Sequence, residues 1–95
     1  MAVARVVEFE GVTQERVDEL RTRMESEEGP PEGVPAKEMI MLYDSGSQSA
    51  VAIIFFDNDA DYQQGDAVLS AMPADDVPGR RASVTKYDVA ARMAD

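Results

Sequence analysis

The chain has 95 residues, enough for one domain with a single core and too few for two. Its 19 acidic residues outnumber 9 basic ones, and the resulting net charge of −10 argues against nucleic acid, whose phosphates are bound by clustered Lys and Arg. It contains no cysteine and no histidine, which together rule out disulfides, thiolate chemistry and imidazole-based metal ligation or general-base catalysis.

At 44 % hydrophobic and 29 % charged, the composition is that of an ordinary soluble globular domain. The longest apolar run, residues 50–56, falls well short of the roughly 20 residues a membrane helix needs. The first residues lack the basic-then-apolar layout of a signal peptide. No membrane association and a cytoplasmic location are therefore expected.

Residues 3–10 read as a strand, with Val3, Val7 and Phe9 on one face and Ala4, Val6 and Glu8 on the other. Gly11 ends it. Thr13 is placed to cap a helix, with Val12 and Val17 at the positions of a hydrophobic staple. Val17, Leu20 and Met24 give that helix one narrow apolar stripe, and Glu19 with Arg23 and Arg21 with Glu25 are spaced for surface pairs. Glu25, Glu27 and Glu28 put negative charge where the helix dipole disfavours it, so the helix should stop near Ser26.

The next stretch holds three prolines and two glycines between residues 29 and 35, which predicts a stiff loop. Residues 37–44 read as a second strand, and Ser45, Gly46 and Ser47 as a turn into the apolar run at 50–56. That run is β-branched and ends in two phenylalanines, which predicts a central strand covered on both faces. The parity of the turn decides the faces: an odd loop places Met39, Met41 and Tyr43 beside Val51, Ile53 and Phe55, and an even one swaps them.

Asp57, Asn58 and Asp59 offer capping oxygens to a second helix, in which Tyr62, Leu69 and Met72 share one side. Gly65 interrupts it and permits a close approach to the sheet. Proline and glycine at 73–79 return the chain to a fourth strand over 80–89, with Ala82 and Val84 on one face and Ser83, Thr85 and Tyr87 on the other. The single domain spans residues 1–90, and 91–95 form a tail.

The order βαββαβ predicts an α+β, ferredoxin-like fold: a four-stranded antiparallel sheet with two helices on one face and the other face uncovered. Val6, Val51, Ile53 and Phe55, with Met39 and Met41 under one turn parity, would then meet water in a monomer. A second copy packed sheet to sheet is the simplest cover.

In this order of elements, in the apolar strand running into Asp57, Asn58, Asp59 and Ala60, and in the final strand ending in Tyr87, Asp88 and Val89, the chain resembles the dimeric α+β barrel superfamily. That superfamily includes antibiotic-biosynthesis-type monooxygenases. The resemblance covers nearly the whole chain and implies the fold and a homodimer. It carries over no catalytic residues, because Asn, Trp and His serve the active members, whereas this chain has no Trp or His and its one asparagine, Asn58, is in a capping position. An RNA-recognition module shares the strand order, but the positions for its basic and aromatic contacts hold Ser49, Val51 and Ile53.

Few side chains point to chemistry. Glu8 is a candidate base if buried between protomers, or else a surface carboxylate that could pair with Arg81. Tyr43, Tyr62, Tyr87 and Arg81 are candidates to line a pocket for a small aromatic or quinone-like ligand. Arg80 with Arg81 could grip a carboxylate, but adjacent strand residues point to opposite faces, and a pair of surface charges at a loop end is the better reading. The aspartates at 57, 59, 61 and 66 lack calcium-loop spacing, so no metal is expected, nor any cofactor. A small-molecule-binding homodimer is the preferred reading. The alternatives are a cofactor-independent monooxygenase or isomerase, and an interaction module without a pocket.

Overall fold

Six elements follow in the order β1 (Val3–Glu10), α1 (Gln14–Ser26), β2 (Glu38–Asp44), β3 (Ser49–Phe56), α2 (Asp59–Ser70) and β4 (Arg80–Asp88). They come from a computed structural model that describes residues 1–27, 29–73 and 77–93; Glu28, residues 74–76 after the second helix and residues 94–95 of the tail lie outside the described residues. The strands form one antiparallel sheet ordered β2-β3-β1-β4, so the fold is ferredoxin-like, with the apolar run of β3 in the interior as expected. No helix among the described residues is long and apolar enough to cross a membrane.

Both helix starts follow from their caps. Thr13 Oγ1 accepts the Arg16 backbone N–H at 3.2 Å, and Val12 and Val17, on either side of that cap, are both buried. Asn58 Oδ1 does the same for the Asp61 N–H at 2.8 Å. α1 ends at Ser26, where the acidic run begins to oppose the helix dipole. Its ion pairs include Arg16–Glu19 at 3.0 Å and Arg21–Asp18 at 3.4 Å.

The helix-facing side of the sheet carries Val3, Arg5, Val7 and Phe9 of β1 opposite Phe56, Ile54, Ala52 and Ala50 of β3. Two buried clusters grow from it. One joins Val7, Phe9 and Ala50 to Val12 and Val17; the other joins Ile54 and Phe56 to Leu69 of α2 and to Val34. Val34 comes from the proline-rich loop, which is tied down where Gln64 donates to the Gly33 carbonyl at 3.3 Å.

Gly65 brings α2 onto the sheet. A Cβ there would lie 2.5 and 2.7 Å from two atoms of the buried Phe56 ring. Alanine is the better helix former by about 1 kcal/mol, but overpacking a filled core costs about 1–3 kcal/mol. Gly65→Ala is therefore expected to lower stability by about 1–2 kcal/mol in urea unfolding. A gain would mean that Phe56 yields its place freely.

The hairpin register pairs Asp44 with Ser49, leaving residues 45–48 as a four-residue loop in which Gln48 takes a left-handed φ of 53°. The even count corrects the expectation for Met39 and Met41. Both lie on the helix-facing side, opposite Ile54 and Ala52, and Ile40 and Leu42 take the open side opposite Ile53 and Val51.

The open face thus presents Val6, Ile40, Leu42, Val51, Ile53 and Phe55, with Leu42 53 % exposed. The segment after β4 turns across one end of this face. Val89 N–H donates to the Ala2 carbonyl at 2.9 Å, and the Arg92 guanidinium lies 4.6 Å from the Phe55 ring centre while donating to Glu38 at 2.6 Å.

Candidate functional site

α2 makes the closer approach to β1 and β3, whereas α1 buries little beyond Val17. The space left between the helices and the middle of the sheet is a partly open cavity of about 480 Å³, within the size range of small-molecule sites. Val7 and Phe9 of β1, Met39 and Met41 of β2, and Ala52 and Ile54 of β3 line its sheet side. Leu20 and Met24 of α1, Leu69 of α2 and Met72 just after that helix line it opposite. Four of the six methionines of the chain therefore meet here, and their unbranched side chains fit a surface that repacks around a guest.

Two arginines stand in this wall. Arg5 occupies a core position of β1 and is 3 % exposed. Its Nε donates to Asp66 Oδ1 at 2.8 Å and its Nη2 to Ser70 Oγ at 3.3 Å, so α2 holds the guanidinium from above. Arg81 lies opposite Phe9 in β4, and its Nη2 donates to the Leu69 carbonyl at 3.2 Å in the last turn of α2, where positive charge is favoured. Among the described residues its Nε has no hydrogen-bond partner, and it is buried.

Of the five pocket candidates read from the sequence, Arg81 reaches this cavity; the others are spread elsewhere. Tyr43 faces the helices and donates its hydroxyl to the Val12 carbonyl at 2.8 Å, beside a smaller recess formed with Val17, Arg21 and Met24. Tyr62 stands edge-on to Phe56, ring centres 5.7 Å apart, with Lys86 Nζ 5.2 Å from its own ring centre. Burial pushes the Tyr62 phenol above its usual pKa, and the nearby Asp66 charge adds to this. Lys86 is itself hydrogen-bonded to Asp59, a bond that holds the Asp59 carboxyl below its ordinary range and raises Lys86 above its own.

Tyr87 and Glu8 sit on the open face. Tyr87 is opposite Ala4 and well exposed. A bulge in the β1–β4 ladder between Glu8 and Phe9 sets Ser83 across from Glu8, and the serine hydroxyl donates to the carboxylate at 2.7 Å. Arg81, on the opposite face, is not its partner. The residue that sequence reading passed over is Arg5, whose parity with Val3, Val7 and Phe9 already places a charge among core positions.

Comparison with known protein families, with curated proteins and with solved structures finds no match.

Proposed function

We propose that this chain is a cytoplasmic small-molecule-binding protein that works as a homodimer, each protomer holding its ligand between sheet and helices. The observation that carries this reading is the cavity of about 480 Å³ lined by four methionines around an apolar sheet surface. It suits a compact, largely apolar molecule such as an aromatic or quinone-like body. An oxygenase or isomerase would use the same space, but the side chains around it supply apolar contact and cations rather than a relay for protons. Binding is what they support best.

The open face supports the second half of the reading. Its centre is apolar, while Glu38 is paired with Arg92 at one end and Glu10 with Arg80 at the other, an apolar centre within a charged rim. A second copy of the sheet matches that pattern, as in the dimeric α+β barrel superfamily.

Native mass spectrometry of the untagged protein tests both halves. The expected spectrum is a dimer carrying a small organic adduct. In Ala52→Phe, a bulky ring between Val7 and Met41 fills the cavity, and the adduct should be lost while the dimer stays. A monomer would remove the homodimer. A dimer that takes up no apolar small molecule from a panel, with or without Ala52→Phe, would turn the reading to an interaction module.

A further inference from the structure

We propose that the ligand of this cavity is an apolar molecule ending in a single carboxylate, and that Arg81 is the seat of that head group. The inference rests on the reading of the cavity as a binding site and adds the chemical class of what enters it.

The distribution of charge gives the first reason. The protein carries −10 overall, yet among the described residues lining the cavity four are basic (Arg5, Arg23, Lys37 and Arg81) and two acidic, Glu27 and Glu38. Nearly half of the nine basic residues are thus gathered around one space, in a chain with twice as many acids. Arg5 and Lys37 are already paired, with Asp66 at 2.8 Å and Asp57 at 3.3 Å, so the cation that stands out is Arg81, whose pull on an anion is strengthened by the low-dielectric walls of a concave site.

The second reason is the state of the two arginines. Arg5 is fixed: Asp66 and Ser70 take its Nε and Nη2, and it contributes a stationary positive charge to the wall. Among the described residues Arg81 is bound at Nη2 alone, by the Leu69 carbonyl, and its Nε–H is buried with no acceptor. A native protein rarely leaves a buried donor of that kind unmet. The Nε and Nη2 hydrogens lie side by side along one edge of the guanidinium, the edge that takes a carboxylate through two parallel bonds. Nε is closed to solvent, so the proposed contact requires the Arg81 side chain to turn this edge toward the cavity. The methionines and the sheet side chains then take the apolar body.

A single carboxylate fits better than a phosphate. Most of the wall is apolar, and a second negative charge would be stripped of water with no further cation committed to it. The apolar body must also be substantial, because the sheet side of the cavity offers it Val7, Phe9, Met39, Met41 and Ile54.

Isothermal titration of the intact protein with decanoate and with 1-decanol, well below their aggregation limits, separates the possibilities. Decanoate is expected to bind at least about tenfold more tightly than decanol, the scale of one charge-assisted contact, with the advantage shrinking in high salt. Arg81→Met should erase the advantage, decanoate and decanol then binding equally to that variant. Arg81→Lys should restore only part of it, since lysine lacks the paired edge. Equal binding of the two probes overturns the carboxylate assignment and leaves the cavity as a neutral site. Failure of both to bind overturns the binding reading itself. A decanoate advantage that survives Arg81→Met overturns Arg81 as the seat, and should that variant not fold, Arg81→Lys decides by the same ratio.

Discussion

Asp66→Ala is expected to destabilise the fold by about 2–3 kcal/mol, and adding Arg5→Met to it should recover most of that loss. Arg5 sits at a core position in an interior strand and is 3 % exposed, with Asp66 Oδ1 2.8 Å from its Nε. Removing one partner of a buried ion pair typically costs about 3–5 kcal/mol, because the remaining charge stays desolvated. The Asp66 side chain is 37 % exposed, so water reaches the vacated position and the cost falls at or just below the lower end of that range. Replacing both members by apolar groups removes the stranded charge, and such exchanges are often neutral or stabilising. Urea unfolding of the wild type, both single variants and the double variant forms a cycle that isolates the coupling, at one fixed protomer concentration because association would shift the midpoint. A loss under about 1 kcal/mol for Asp66→Ala would place Arg5 within reach of solvent and weaken the picture of a rigid cation in the cavity wall. If the double variant matches the wild type, the pair adds nothing to stability over an apolar replacement.

The fold was legible because local signals and tertiary packing agree. Thr13 and Asn58 cap the helices they were expected to cap, Gly65 meets Phe56 as the close approach required, and the alternation in β1 divides its residues between the two faces as read. The hairpin was harder. Ser45, Gly46 and Ser47 carry the usual composition of a turn, but the loop also takes in Gln48, a residue with no special preference for its left-handed φ. One more loop residue inverts the whole of β2, sending Met39 and Met41 to the helices and Ile40 and Leu42 to the open side. Parity is all or none, so composition alone could not fix it.

The site was less legible than the fold for a related reason. A cavity exists where α1 stands away from the sheet, and that spacing depends on side-chain volumes summed across several elements rather than on any one stretch. Tyrosines drew attention as amphipathic residues, yet each found a local role: Tyr43 closes against Val12, Tyr62 against Phe56, and Tyr87 stands in the open. Arg5 was available to the same parity argument that sorted its neighbours. A charge flanked by valines on a core face marks either a buried pair or a site, and here it is a buried pair that borders the cavity.

Ile53→Asp is expected to turn the proposed homodimer into a folded monomer. Ile53 lies at the centre of the open face, in register with Val6 of β1 on one side and Ile40 of β2 on the other, with Leu42 opposite Val51 and Phe55 opposite Ala4 in the adjoining rows. A two-fold axis through such a face brings the two central strands together, so one substitution puts two carboxylates into the same dry layer. Each must be desolvated, and they repel one another, which should weaken association by well over a hundredfold, about 2.7 kcal/mol. The protomer should survive, because its core lies on the other side of the sheet, around Val7, Phe9, Ile54 and Phe56, and an aspartate on the open side of a lone protomer faces water. Sedimentation velocity across a range of concentrations, with circular dichroism to confirm the fold, checks this. Ala52→Phe, one residue away on the opposite face, is the matched control and should remain dimeric. A wild type that sediments as a monomer, or an Ile53→Asp variant that still sediments as a dimer, would move the contact off this face, and the edge of β2, with its run of Met39, Ile40, Met41 and Leu42, would be the next surface to change.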